Sequence, residues 1–150
     1  MGLLRWYEQG PLGIFIRESL WGYPIVLSSH AIGMAIVVGT VVALNMRTLG
    51  YAKGISVMAY DKVFVMGWFG FYLNLVSGLI LFANKPVDYT FQGSFQLKIG
   101  LILLGGILMK MVMNAIRSGK SEMTVRIYSF ACLASWMGAI VTGRLMAYLA

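Results

Sequence analysis

The chain has 150 residues, of which 59% are hydrophobic and only 11% charged, and its mean hydropathy is +0.80. Ordinary soluble domains are about one-quarter charged. A chain this short has too little interior to hide so much apolar surface, so the composition argues against a water-soluble globule and for one domain dissolved in lipid. Twelve Lys and Arg against five Asp and Glu give a net charge of +7. The basic residues are scattered between apolar runs, which argues against nucleic-acid binding and suits loop charges beside anionic headgroups.

The chain begins MGLLRWYEQGPLG. This start lacks the uninterrupted apolar core of a cleavable signal, and Trp6 stands where a myristoylation pattern needs Ser or Thr. From residue 11 to 20, Leu12, Phe15, Ile16 and Leu20 fall at helical spacing, with Arg17 and Glu18 on the other side. Pro11 suits a first helical position, and Gly22 and Pro24 are expected to stop the run. Trp6, Tyr7, Trp21 and Tyr23 suit the headgroup layer. The expectation is an amphipathic helix over about 11–20, lying on the membrane.

Four apolar runs follow, each near the ~20 residues that cross a bilayer as a helix. The first covers about 25–44 and ends at Asn45 and Arg47, with a turn from Gly50 to Lys53. The second covers about 62–83, with Asp61 as the expected N-cap and Asn84, Lys85 and Pro86 as the stop. A polar connection from Pro86 to Gln96 carries Tyr89, Phe91 and Phe95, which suits an interfacial loop. The third span covers about 97–116 and closes at Arg117 and Gly119, a left-handed cap position. The fourth covers about 124–149, with Ser121 as N-cap and Glu122 in the first turn. The expected fold is an all-α integral membrane bundle of four spans, up and down. None of the runs alternates as a transmembrane β-barrel requires.

Loop charge sets the expected orientation. Arg47, Lys53, Lys62, Arg117, Lys120 and Arg126 share one side, with Lys110 near it, against Arg5, Arg17, Lys85, Lys98 and Arg144 on the other. The bias favours both termini outside the cytoplasm. His30 then lies about one and a half turns in from the outer face, at ~1.5 Å per residue.

Small residues repeat every four positions at Ala31, Ala35, Gly39 and Ala43, and again at Ala131, Ser135, Ala139 and Gly143. Such stripes let helix backbones approach closely in lipid. The contact is expected within one chain or between copies. The same small residues would also make room for a flat cofactor.

Polar groups at membrane depth each need a reason. His30 is the chain's one histidine. It is either an imidazole hydrogen-bonded to another helix or an axial ligand to haem b, with the second ligand a methionine, a symmetry-related His30 or a partner's residue. Arg144 either snorkels to the headgroups or holds a haem propionate, a quinone oxygen or a lipid phosphate. It shares a side with His30 and Glu18. Lys110, with Asn114 one turn on, snorkels to the opposite face or belongs to an ion pathway. Asn74 and Ser77 are expected to hydrogen-bond between helices. Met109, Met111 and Met113 alternate around a helix and share no face for copper. The lone Cys132 excludes an intrachain disulfide and gives no metal-ligand spacing. No Ser/His/Asp set, Cys/His pattern, phosphate loop or carboxylate pair points to catalysis by this chain alone.

Three segments carry a resemblance: HAIGMAIVVGTVVALNMRTLG, GFYLNLVSGLILFANKPVDYTFQGSFQLKIGLILLG and WMGAIVTGRLMAYL. They resemble a family of small bacterial four-span membrane proteins of uncharacterised function, distantly similar to copper-resistance D-type and cytochrome b561-like bundles. The matching positions are His30, Gly33, Arg47, Gly50, Gly143 and Arg144, while Asn45 stands where the pattern is acidic. The resemblance implies the four-span fold and a bacterial inner membrane, and no established activity. Together these readings lead to a small non-catalytic membrane protein, an accessory or scaffolding subunit or a homo-oligomer. The alternatives are a haem b electron-transfer protein using His30 and Arg144, and a small transporter or channel using Lys110 and Asn114.

Overall fold

The structure is a computed structural model that describes residues 2–51, 54, 56–146 and 148, the side chains of residues 57 and 58 excepted. It is 87% helix, with no strand among the described residues. Seven helices follow in order: α1 (Gly2–Gln9), α2 (Pro11–Glu18), α3 (Gly22–Thr48), α4 (Val57–Phe82), α5 (Pro86–Phe91), α6 (Gly93–Arg117) and α7 (Glu122–Leu145). Helices α3, α4, α6 and α7 are long and apolar enough to cross a membrane.

Most helices begin earlier or end later than the apolar runs, because the end turns are polar yet still helical. Helix α3 starts at Gly22 and carries Pro24 in its first turn, where a missing N–H breaks no helical bond. So Pro24 opens α3 and does not simply stop the preceding helix. Helix α4 starts before Asp61, and Asp61 is therefore not its N-cap. Its carboxylate instead accepts from Arg117 Nη2 at 2.6 Å. Ser121 does cap α7, accepting from the Thr124 amide at 3.4 Å. Helix α7 ends at Leu145, short of the expected 149, and Leu149 lies outside the described residues. Helices α1 and α5 stand where no helix was expected.

Two turns at one end share a cap. Gly50 takes φ +93° after α3, and Gly119 takes φ +64° after α6. In each, the next amide reaches back to a carbonyl five residues earlier, Tyr51 to Met46 and Lys120 to Ala115, both at 3.0 Å. A side chain with Cβ is strained in that left-handed region, so glycine is the residue for both places.

Helix α3 packs on α4, α6 packs on α7, and α3 joins the pairs by packing on α7. The core is Val37 and Val41 of α3, Met109 and Val112 of α6, and Cys132 and Trp136 of α7, with Phe64, Trp68 and Phe71 of α4 packed against it. Helices α3 and α4 meet backbone to backbone. A Cβ on Gly33 would stand 2.9 Å from the Asn74 nitrogen and 3.0 Å from the Gly70 oxygen. One on Gly70 would meet Ile36 and the Gly33 oxygen, and one on Gly67 would meet Thr40. Across the bundle, Gly105 lies flat against the Trp136 indole and accepts from Cys132 Sγ at 3.6 Å.

Arg17 does not simply face away from the apolar side of α2. Its Nη2 donates to the Glu8 carbonyl at 2.7 Å and its Nη1 to the Asn84 carbonyl at 3.2 Å. It thereby fastens α1 and α2 to the end of α4. Tyr7 helps, donating to the Leu79 carbonyl at 3.1 Å, and Phe82, Tyr89 and Phe95 stack beside it.

Gly33→Ala is expected to destabilise the protein by about 1–3 kcal/mol, the usual range for overpacking a tight contact. Gly100→Ala, where a Cβ meets nothing within 4 Å, serves as the neutral control. Thermal unfolding in detergent distinguishes them, and equal midpoints would contradict the α3–α4 contact.

Candidate functional site

His30 sits on α3, about two turns after the helix begins. Its Nδ1 lies 3.0 Å from Ser77 Oγ of α4, and Ser77 Oγ in turn lies 2.6 Å from the Leu73 carbonyl. A serine has one hydroxyl proton. The bond to Leu73 uses it, so Ser77 accepts from the ring and Nδ1 carries the imidazole proton. In the neutral ring Nε2 then carries the lone pair, and it has no hydrogen-bond partner among the described residues.

The ring rests on Gly78, where an added Cβ would stand 3.2 Å from its Cε1. Gly78 therefore leaves the space that His30 fills. The cation of α6 at this end of the bundle is Lys98. Lys98 is half-buried and its stem lies along Gly143 of α7, with Nζ 3.3 Å from where a Cβ would be. One turn from Ser77, Asn74 is buried and its Oδ1 has no partner. The site thus joins one residue or more from each of the four long helices: His30, Asn74, Ser77, Gly78, Lys98 and Gly143. It holds an imidazole and a lysine near one end of the bundle, and no carboxylate among the described residues.

Arg144 and Glu18 do not join it. Both are exposed, and neither bonds His30. Lys98 was read as a loop charge because the third run appears to begin at Leu97. The helix begins four residues earlier, at Gly93, which carries Lys98 inside. Lys110 and Asn114 lie on the outward face of α6. Met109 and Met113, one turn apart, are both buried on the inner face of α6, contrary to the expectation that they share no face, and Met111 is exposed. No group of three or more His, Cys, Asp or Glu stands together among the described residues.

The two small-residue stripes part company. On α7, Ser135 and Ala139 are buried and Ala131 and Gly143 are half-buried. On α3, Ala31, Ala35 and Gly39 are exposed and Ala43 is half-buried. The inner face of α3 is Gly33, Val37, Thr40, Val41 and Leu44 instead. Around Gly39 nothing lies within 4 Å of a Cβ position. The glycines of α4 at 67, 70 and 78, which match the inner face of α3, were the signal for that contact.

At the opposite end, Asn45 is buried and its Nδ2 donates to the Val41 carbonyl at 2.9 Å. An ionised acid cannot donate that bond, so the neutral amide suits this buried place. Arg47 stacks on the Tyr60 ring, 4.2 Å from its centre. Outside the spans, the Tyr89 phenol is pushed up from its ordinary value by burial first and by Tyr23 second.

Comparison of the chain with models of protein families, with curated proteins and with solved structures finds no match.

A double-mutant cycle of His30→Ala and Ser77→Ala, read by unfolding in detergent, is expected to give a coupling of about 0.6–1.7 kcal/mol, the range for hydrogen bonds between membrane helices. Additive losses would remove the His30–Ser77 bond from the account.

Proposed function

We propose that the chain is a small non-catalytic integral membrane protein that acts as an accessory or scaffolding subunit or as a homo-oligomer, docking another membrane helix on the outer face of α3. One observation carries the reading: the exposed stripe of Ala31, Ala35 and Gly39, with open space over Gly39. Among the described residues nothing lies within 4 Å of a Cβ position on Gly39, and Ala31 and Ala35 are exposed. In lipid, where apolar side chains gain nothing by leaving the tails, close backbone approach over small residues is the usual means of helix association.

In this reading the four long helices run up and down, joined by short connections. Helices α1 and α2 lie at the membrane surface, where the exposed Trp6, Leu20 and Trp21 enter the headgroup layer. The resemblance of the His30, Gly33, Arg47 and Gly50 segment to small bacterial four-span proteins supports the inner membrane of a bacterium. The lysine and arginine bias supports periplasmic termini.

A second reading, haem b electron transfer, has one observation in its favour. Nδ1 donates to Ser77, which leaves Nε2 as a ligating nitrogen, the arrangement common to metal-bound imidazoles. The chain supplies one histidine, so the second axial ligand would come from a methionine, a second copy or a partner. Haem would supply one-electron transfer, and His30 is the residue that would hold it. Nothing comparable supports a path through the bundle at Lys110 and Asn114, since both face outward.

Native mass measurement in mild detergent tests the leading reading. The wild type is expected as an assembly, and Gly39→Leu is expected to weaken association by roughly tenfold or more, the equivalent of 1–3 kcal/mol of overpacking. A wild type that runs as a single chain without partner would contradict it. The visible spectrum separates the two readings. A Soret band lost in His30→Ala establishes haem, and a colourless folded protein removes it.

A further inference from the structure

At the end of the bundle away from His30, α3, α6 and α7 leave an open cleft of about 410 Å³ between them. Its walls are Arg47 and Thr48 from the last turn of α3, Ile116 and Lys120 from the end of α6 and the turn after it, and Glu122 and Val125 from the first turn of α7. Cations in the last turn of a helix are favourable on their own account. The basic residues alone would therefore indicate no ligand. Three further observations do.

The first is charge left over. Arg117 is paired with Asp61 at 2.6 Å. Glu122, the one acid in the cleft wall, faces Arg126 at 3.4 Å, and Arg126 also donates through Nε to the Thr48 carbonyl at 3.0 Å. Arg47 and Lys120 have no carboxylate partner among the described residues. The second is an orphaned donor. Arg47 Nη1 is buried and has no acceptor among the described residues, although its guanidinium is held in place by stacking on Tyr60. Nη1 itself is shielded, so it is the guanidinium as a whole, held over Tyr60 and lining the cleft, that offers an anionic oxygen a charge without a carboxylate partner among the described residues. The third is placement. The cleft opens where three spans end, at the level of the headgroups, with Ile116 and Val125 as an apolar part of its wall. The backbone fixes Lys120 there, because it follows Gly119 in the left-handed cap and bonds back to Ala115.

We propose that this cleft binds a phosphate group, that of an anionic phospholipid at the membrane surface. Arg47 presents a planar fork suited to phosphate oxygens and Lys120 a point charge beside it. Ile116 and Val125 meet the first carbons of the lipid's glycerol and acyl chains. Basic pockets between membrane helices take anionic headgroups in this manner. A free phosphate offers the same oxygens without those carbons. The site is independent of the outer face of α3.

The test is native mass spectrometry of the delipidated protein with equimolar phosphatidylglycerol and phosphatidylcholine. The wild type is expected to retain the anionic lipid in preference. Lys120→Gln and Arg47→Gln are each expected to lower that preference about fivefold, the effect of one cation near a headgroup. Lys120 is exposed and its loss leaves the core untouched, while Arg47→Lys keeps the charge and retains most of the preference. Glu122→Gln raises it. Equal retention of the two lipids, or a preference indifferent to both Gln substitutions, overturns the proposal. Displacement of the lipid by millimolar inorganic phosphate overturns the lipid as the source and assigns the site to a soluble phosphate.

Discussion

The close approach of α3 and α4 is the constraint on which the rest of this structure depends. Where Gly33 meets Gly70 and the Asn74 amide, there is no room for a side chain on either helix. Helices in lipid gain little from burying apolar groups, so contact area and hydrogen bonds must supply the association. The glycines bring the two backbones near enough for that. The same closeness sets His30 against Gly78 and within 3.0 Å of Ser77. It also turns Val37 and Val41 toward α6 and α7, where Met109, Cys132 and Trp136 complete the core. The polar site and the apolar core are thus two consequences of one contact.

The bundle treats its two ends differently. The His30 end is closed by α1 and α2, which Arg17 and Tyr7 fasten to backbone carbonyls of α1 and α4. Its charges, among them Arg5, Glu8, Arg17, Glu18, Lys85, Asp88, Lys98 and Arg144, form no ion pair among the described residues. The far end carries most of the ion pairing and both left-handed glycine caps. Its cleft holds more positive charge than its own carboxylates match.

Much of this was legible in the residues, for physical reasons that can be named. The four spans follow from length and apolarity. Gly119 and Ser121 announced their caps because cap chemistry is local. The orientation of α3 was hidden. Around a helix that is apolar on every side, lipid and protein interior reward the same residues, so the Ala31–Ala35–Gly39 face and the Gly33–Val37–Thr40 face read alike. Only the matching glycines of α4 distinguish them. Lys98 was hidden for a related reason, since the turn from Gly93 to Gln96 is helical although, Phe95 apart, it is too polar to extend the span. Asp61 looked like a cap and serves as Arg117's partner, because the helix started a turn sooner.

The central claim is that α3 has two contact faces, one used inside the chain and one left for another helix. Oxygen accessibility of nitroxide labels at Ala35, Gly39 and Val42 tests it most directly. Ile107, an exposed residue of α6, provides the lipid-facing reference, and Cys132→Ala the background. The account predicts that the three α3 labels are shielded relative to Ile107 in membranes and become as accessible as it in dilute detergent. Labels as accessible as Ile107 in the membrane itself would contradict it.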